Sequence, residues 1–214
     1  AEYPTALEDA ELEDHALALR GGALAAHALC RPVRARAGST TDTIGLIGLV
    51  YTEPAHRGLG LASACVERCA ARLAARGASV ALLWSDLDGF YARLGFYRAG
   101  RESLYELDAG ACGAASRLLD THVEVGRVRA PDWPHLEALY RAKPSHLERS
   151  PGELRRLVAG PDSRTAVARR GDRPLAYASL GRGDDLRDVV HEWAGAPGPV
   201  VACLSALLAG RERI

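Results

Sequence analysis

The chain has 214 residues, with 27 basic and 27 acidic side chains and a formal net charge of +0 at pH 7. That length holds one large or two small domains, and the charge balance argues against a nucleic-acid partner held by bulk electrostatics. No apolar run is long enough to cross a bilayer and no secretory signal is visible, so the expected location is the cytoplasm, with no membrane partner.

Residues 5–20 carry Leu7, Leu12, Ala16 and Leu19 with acids between them, which predicts a helix. Leu24 to Cys30 predicts a strand within 23–36, stopped by Pro32, and Arg34 to Thr43 a polar turn. The run Thr43 to Tyr51 is nearly all apolar, as expected of a strand buried on both faces. Gly45 and Gly48 inside it predict a bulge or a close backbone approach. Glu53-Pro54-Ala55-His56 is a loop in which proline stops the strand. Leu61, Val66, Cys69 and Leu73 recur at helical spacing, so a helix is predicted over Leu61–Arg76, with Gly77 at its C′ position. Val80 to Trp84 and Arg101 to Leu107 read as strands. Cys65 and Cys69 lie one turn apart with no His or Cys partner nearby in sequence; they read as small core residues, and no metal is expected.

Between the central strand and that helix lies Arg57-Gly58-Leu59-Gly60-Leu61-Ala62-Ser63. Two glycines let the backbone turn and bring N–H groups close to a ligand. The helix N-terminus adds unsatisfied donors and partial positive charge. This is a site for a phosphate or pyrophosphate, to which Arg57 can add a charge-assisted contact. The P-loop pattern fails because no Gly-Lys-Ser/Thr follows. A Rossmann turn is a nearer rival, with Gly58 and Gly60 as its first two glycines and Asp86 ending the next strand. Ser63, however, stands in place of its third glycine, and the connection from Glu53 to Arg57 is too long.

The downstream segment Phe90-Tyr91-Ala92-Arg93-Leu94-Gly95-Phe96 decides between these readings. With it, residues 43–107 resemble the GNAT superfamily of acyl-CoA-dependent N-acetyltransferases. Arg57, Gly60 and Ala62 match that family's Gln/Arg-x-x-Gly-x-Gly/Ala loop, and Phe90 to Phe96 its Phe-Tyr-x-x-Leu-Gly-Phe segment. The resemblance implies an α/β (α+β) fold, with a mixed central sheet flanked by helices. It implies acetyl-CoA as cosubstrate, with the backbone of Leu49, Val50 and Tyr51 along the pantetheine arm and Arg57 to Ser63 on the pyrophosphate. It also implies Tyr91 as the general acid for the leaving thiolate, the alternative being that Tyr91 only packs beside Phe90 and Phe96. Leu83-Trp84-Ser85-Asp86 followed by Tyr91 to Phe96 is also similar to the enhanced-intracellular-survival branch, in which an active domain is combined with others. The segment 1–42 is shorter than the resemblance implies, and the chain starts at Ala1 without any methionine; both fit a sequence from which residues are missing.

The base stays open. Glu53 begins the loop, and Asp86 can act as base, hold the acceptor ammonium or cap its own loop. His56 can titrate near neutrality or be an ordinary loop histidine. Trp84, Ser85 and Asp86 are candidates for the acceptor side, and Glu192 and Trp193 for a wall of it, with a satisfied interdomain contact as the other reading of Glu192.

Asp108 to Gly113 consists mostly of small residues, so 109–121 reads as a linker between a catalytic domain, 1–108, and a second domain, 122–214. His122 to Val128 alternates like a strand. Asp132-Trp133-Pro134 opens a helix carrying Leu136, Leu139 and Tyr140. Ser150-Pro151-Gly152-Glu153 reads as a capping box. Thr165–Ala168, Pro174–Leu180 and Asp188–Trp193 follow as strands, and Val200–Leu208 as a helix. This order repeats the first half of the GNAT domain, so 122–214 is expected to be a degenerate GNAT-like copy, with an unrelated α+β extension as the other reading. Its strand-to-helix connection, Ala194 to Pro199, has no arginine, and its prolines remove N–H donors. The expected function is acetyl transfer from acetyl-CoA to a primary amine of a small molecule. The alternative is a non-catalytic acyl-CoA-binding or regulatory protein, and a nicotinamide-dependent oxidoreductase is a third reading. Oligomeric state is not readable from the sequence.

Overall fold

The structure is a computed structural model that describes residues 11–115, 122–160, 162–183, 186–209, 211 and 214. The chain folds as two compact units, one spanning Thr5–Glu102 and one spanning Ser103–Ile214.

In the first unit the sheet runs in the order β1-β2-β3-β4, formed by β1 (His15–Arg20), β2 (Ala23–Ala37), β3 (Thr40–Thr52) and β4 (Val80–Leu82). The first three pair antiparallel, and β4 joins β3 in parallel. Helix α1 (Leu61–Ala75) makes the crossover that a parallel pair requires. It packs Cys65, Val66, Cys69 and Leu73 against Ala16, Ala26, Ala28, Cys30 and Ile47. The strand residues there are mostly small, so the helix sits close to the sheet. A Cβ on Gly45 would lie 2.5 Å from the Leu73 side chain, which accounts for that glycine. Arg72 on α1 donates to the His15 carbonyl at 2.7 Å, and Arg76 pairs with Asp14, tying the helix end to the start of β1. Cys30, Cys65 and Cys69 are buried core thiols, and burial pushes the Cys69 thiol up to about 12. Among the described residues no group of His, Cys, Asp and Glu could hold a metal ion.

Several expectations need correction here. Residues 15–20 are a strand, not part of a helix; a 3-10 turn covers Leu12–Asp14, while Leu7 falls outside the described residues. The strand wins because Ala16 and Ala18 alternate onto the α1 face and β1 can pair with β2. Pro32 does not stop β2: it pairs with Gly45, three residues past Leu29, where the pairing of β2 with β1 ends. The expected polar turn at Arg34–Thr43 is the far end of a long hairpin, turned at Gly38 with φ 59°. Arg101–Leu107 is irregular rather than a strand. Residues 109–115, expected as linker, form helix α3 (Ala109–Ala115), which follows the short α2 (Asp88–Ala92). Residues 116–121 lie outside the described residues.

In the second unit the sheet order is β5-β7-β8-β9, all antiparallel: β5 (Glu124–Arg127), β7 (Arg164–Arg170), β8 (Arg173–Leu180) and β9 (Val190–Gly195). Between β5 and β7 come α4 (Trp133–Arg141), the short β6 (Ser145–Leu147) and α5 (Pro151–Val158). The capping box opens α5 as read: Glu153 N–H donates to Ser150 Oγ at 3.2 Å, and Ser150 N–H to Glu153 Oε2 at 2.8 Å. Alternation divides the sheet between two cores. Val167, Tyr177 and Ala194 pack with Leu136, Tyr140, Leu154 and Val158. Ala166, Ala168, Ala176, Ala178 and Leu180 pack with Val200, Cys203 and Leu207 of α6 (Pro197–Leu208). Buried Arg169 donates from Nε to Asp132 Oδ1 at 3.0 Å and pairs through Nη2 with Oδ2. Burial alone would raise the Asp132 carboxyl; Arg169 and the Arg129 N–H hold it below the usual carboxylate range.

Candidate active site

The β3–β4 ladder runs only from Ile44↔Val80 to Leu46↔Leu82. β3 continues to Thr52 while β4 ends, and the far end of β3 carries Val50, Tyr51 and Thr52 into a cleft of about 700 Å3. The cleft is also lined by His56, Arg57, Gly58 and Gly60, by Leu61, Ala62 and Ser63 at the start of α1, and by Leu87, Phe90, Tyr91 and Arg93.

The glycine-rich turn has the geometry its sequence demanded. Gly58 (φ 77°) and Gly60 (φ 75°) are both left-handed, a conformation that costs other residues more. Gly60 is the N-cap of α1, so no side chain caps that end, and its first N–H groups remain available as donors. A Cβ at Gly58 or Gly60 would meet nothing within 4 Å. The glycines therefore do not accommodate protein packing at the turn itself. An uncapped N-terminus with space in front of it fits an anionic group. Arg57 Nε donates to the Thr52 carbonyl at 3.4 Å, a long bond, from an exposed side chain at the edge of the cleft.

Opposite the turn, α2 carries Tyr91, whose residue is only 9% exposed. Phe90 and Phe96 meet its ring edge-on, with centroids 4.9 and 6.0 Å away. Burial raises the phenol above its ordinary value, and a hydrogen bond with the Ser85 side chain opposes that shift. Tyr91 is thus packed and cleft-lining at once, so the two sequence readings of it are not exclusive.

The other candidates are dispersed. Tyr51 donates its hydroxyl to Glu53 Oε2 at 2.8 Å, and Glu53 N–H donates to the Ala25 carbonyl at 2.9 Å. Asp86 lies in an exposed bend outside the cleft lining, and Trp84 is 71% exposed. Ser85 Oγ accepts from Leu87 N–H at 3.0 Å. Leu59 is exposed beside the turn. His56 lines the cleft with a buried Nδ1 that has no hydrogen-bond partner among the described residues. Among the described residues no carboxylate lines the cleft.

Glu192 and Trp193 belong to the second unit. Glu192 is 7% exposed and accepts from Lys143 Nζ and Arg149 Nη1. Burial would raise its carboxyl, but the two cations hold it below the usual range. Both cations also stack on the Tyr140 ring, Lys143 at 5.1 Å and Arg149 at 4.8 Å from its centroid. Trp193 is 53% exposed, with Lys143 Nζ 5.8 Å from its ring centroid. Sequence reading singled out Glu192 but missed both cations. The signal was present only as Lys143 and Arg149 on either side of the five residues that hold β6, with nothing local to aim them.

Residues 6–99 match the family model described as an acetyltransferase (GNAT) domain. No curated protein matches the sequence. Among solved structures, a GCN5-related N-acetyltransferase from Anabaena variabilis superposes with a TM-score of 0.70 at 16% identity, covering 97% of this chain and 56% of that one. A GCN5-related N-acetyltransferase from Kribbella flavida gives 0.65 at 16%, covering 94% and 51%. A conserved protein of unknown function from Enterococcus faecalis, described as a probable N-acyltransferase, gives 0.65 at 15%, covering 91% and 52%. At such identities the likeness is one of fold, and the chain spans about half the length of these structures. Among the described residues no helix is long and apolar enough to cross a membrane.

Proposed function

We propose that the first unit binds acetyl-CoA and transfers its acetyl group to a primary amine, most simply that of a small molecule. The observation that carries this reading is the meeting of an uncapped helix N-terminus, two left-handed glycines and buried Tyr91 in one cleft. Acetyl-CoA supplies an activated thioester. The N–H groups of Leu61 to Ser63 and the Arg57 guanidinium would hold its pyrophosphate, and the backbone of Leu49 to Tyr51 would orient its pantetheine arm. When the amine nitrogen bonds to the carbonyl carbon and the C–S bond breaks, Tyr91 would give its phenolic proton to the departing sulfur. The amine loses one proton in the same turnover, to solvent or to a base, and one proton returns to Tyr91. The phenol is protonated near neutrality, as an acid must be, and burial makes it a weaker donor than an exposed tyrosine. Glu53 and Asp86 remain candidates for the base.

We further read the second unit as a degenerate GNAT-like domain, and we place the protein in the cytoplasm. One observation favours the non-catalytic alternative, an acyl-CoA-binding or regulatory protein: among the described residues the cleft is lined by no carboxylate that could serve as base. Calorimetry with coenzyme A, followed by thiol release from acetyl-CoA over a panel of amines, tests both. Binding with amine-dependent thiol release supports the enzyme, binding without release supports the alternative, and no binding overturns both.

A further inference from the structure

Leu49 is the one non-glycine residue with positive φ, 50°, among the described residues. It sits in a bulge: the β2–β3 register passes from Leu29↔Gly48 to His27↔Tyr51, so Leu49 and Val50 together oppose Ala28. A side chain held in the left-handed region needs surroundings that enforce it, and a carbonyl displaced from the ladder needs another partner. His27 supplies that partner. Its Nδ1 lies 2.9 Å from the Leu49 carbonyl oxygen, and its Nε2 lies 2.9 Å from His15 Nδ1.

The chemistry fixes the protons. A carbonyl oxygen can only accept, so His27 Nδ1 carries the hydrogen and donates it. In neutral His27 the Nε2 is then an acceptor, and His15 Nδ1–H donates to it. The rings lie 5.2 Å apart, centroid to centroid. The chain of bonds therefore runs from His15 through His27 to the carbonyl of Leu49. In a trans peptide the C=O and N–H point in opposite directions, so fixing the Leu49 carbonyl also fixes the Val50 N–H. Val50 lines the cleft.

We propose that His27, oriented by His15, is a positioning residue for acyl transfer: it locks the Leu49–Val50 peptide in the orientation that the acyl end of the thioester meets. This rests on reading the cleft as an acyl-CoA site. The histidine does not touch substrate; it acts through the backbone.

The test uses the full chain and three measurements. Imidazole nitrogen NMR of the wild-type protein should show His27 protonated at Nδ1; a tautomer protonated only at Nε2 overturns the lock without any variant having to fold. The second measurement compares His27→Asn, whose amide nitrogen falls near the position of Nδ1, with His27→Gln, whose amide falls near Nε2. The glutamine variant should lose about 10- to 100-fold in kcat, since small misplacements near the reacting group cost that much, with KM for acetyl-CoA and the Kd of coenzyme A within about 3-fold. The asparagine variant should recover to within about 3-fold of wild type. If the protein binds acetyl-CoA without transferring it, the same split is read as the ratio of acetyl-CoA to coenzyme A affinity. Equal behaviour of the two variants overturns the inference and leaves the cleft assignment standing. The third measurement is wild-type affinity for coenzyme A, whose absence overturns the cleft assignment and the inference with it.

Discussion

The chain passes from strand to helix through glycine twice in comparable settings, from β3 into α1 through Gly58 and Gly60 and from β9 into α6 through Gly195, and the two connections use the residue for opposite ends. At Gly60 (φ 75°) an added Cβ would meet nothing within 4 Å, and the helix behind it starts uncapped. At Gly195 (φ 130°) an added Cβ would lie 2.5 Å from the Leu175 carbonyl oxygen and the Ala176 Cβ, inside the sheet. Its helix starts with Pro197 and buried Pro199, neither of which has an N–H to offer. One glycine lets the backbone approach whatever fills the cleft; the other lets two strands approach each other. A glycine reports freedom of the backbone, and only its surroundings report what the freedom serves.

The sharpest way to break this comparison is through the chemistry it assigns to one side alone. Tyr91→Phe should lower turnover by about 10²- to 10⁴-fold, the usual contribution of a positioned proton donor, with the Kd of coenzyme A nearly unchanged. Rates measured where chemistry is limiting check this, and unchanged turnover would return Tyr91 to packing beside Phe90 and Phe96.

Next in size is the crossed glycine experiment. Gly195→Val should destabilise the second unit by about 1–3 kcal/mol or more, because backbone rather than a flexible side-chain tip occupies the space, while coenzyme A affinity stays put. Gly60→Val should instead weaken coenzyme A binding, its stability cost limited to backbone strain. Urea midpoints and calorimetry on both variants decide it; equal profiles would erase the distinction drawn between the connections.

Arg57→Ala should weaken coenzyme A binding by about 1.5 kcal/mol, the low end for a hydrogen bond to a charged group, because the side chain is exposed. The loss should shrink with added salt. Titration should saturate at one coenzyme A per chain, and a second equivalent near Gly195–Val200 would show that the second connection binds anions after all.

The smallest expected effect concerns acid stability of the second unit. The folded-state carboxyls of Glu192 and Asp132 are depressed, so their contribution is present above the unfolded carboxylate range, about 4, and is lost as pH falls through the depressed folded values. Urea midpoints between pH 7 and pH 3 should fall more steeply for wild type than for Glu192→Gln. Parallel slopes would mean that Lys143 and Arg149 do not stabilise the charged form.

Local chemistry made much of this legible. Gly58 and Gly60 between an apolar run and a 3.6-residue period specified the turn and α1, and Ser150 with Glu153 specified the start of α5, because caps and turns depend on residues a few positions apart. The reading failed where pairing was decided elsewhere. Leu12, Ala16 and Leu19 fit a helix in isolation, but Ala16 and Ala18 become strand residues once β2 offers a ladder and α1 a surface. Pro32 reads as a stop, yet β2 runs through it, paired with β3 at Gly45.

By itself, then, the sequence determined the elements whose signals are local: the glycine turn, the helix it opens, the capping box, and the existence of β7 and β8 as strands. Only the tertiary structure decided which groups would meet. His15, His27 and Leu49 are separated by 12 and 22 residues yet share one chain of hydrogen bonds, and Lys143 and Arg149 converge on Glu192 from more than 40 residues away. The physical reason is that capping and periodicity are fixed by neighbours along the chain. Strand register and buried charge pairing are fixed by whatever surface the fold brings opposite, and no short window of sequence contains that surface.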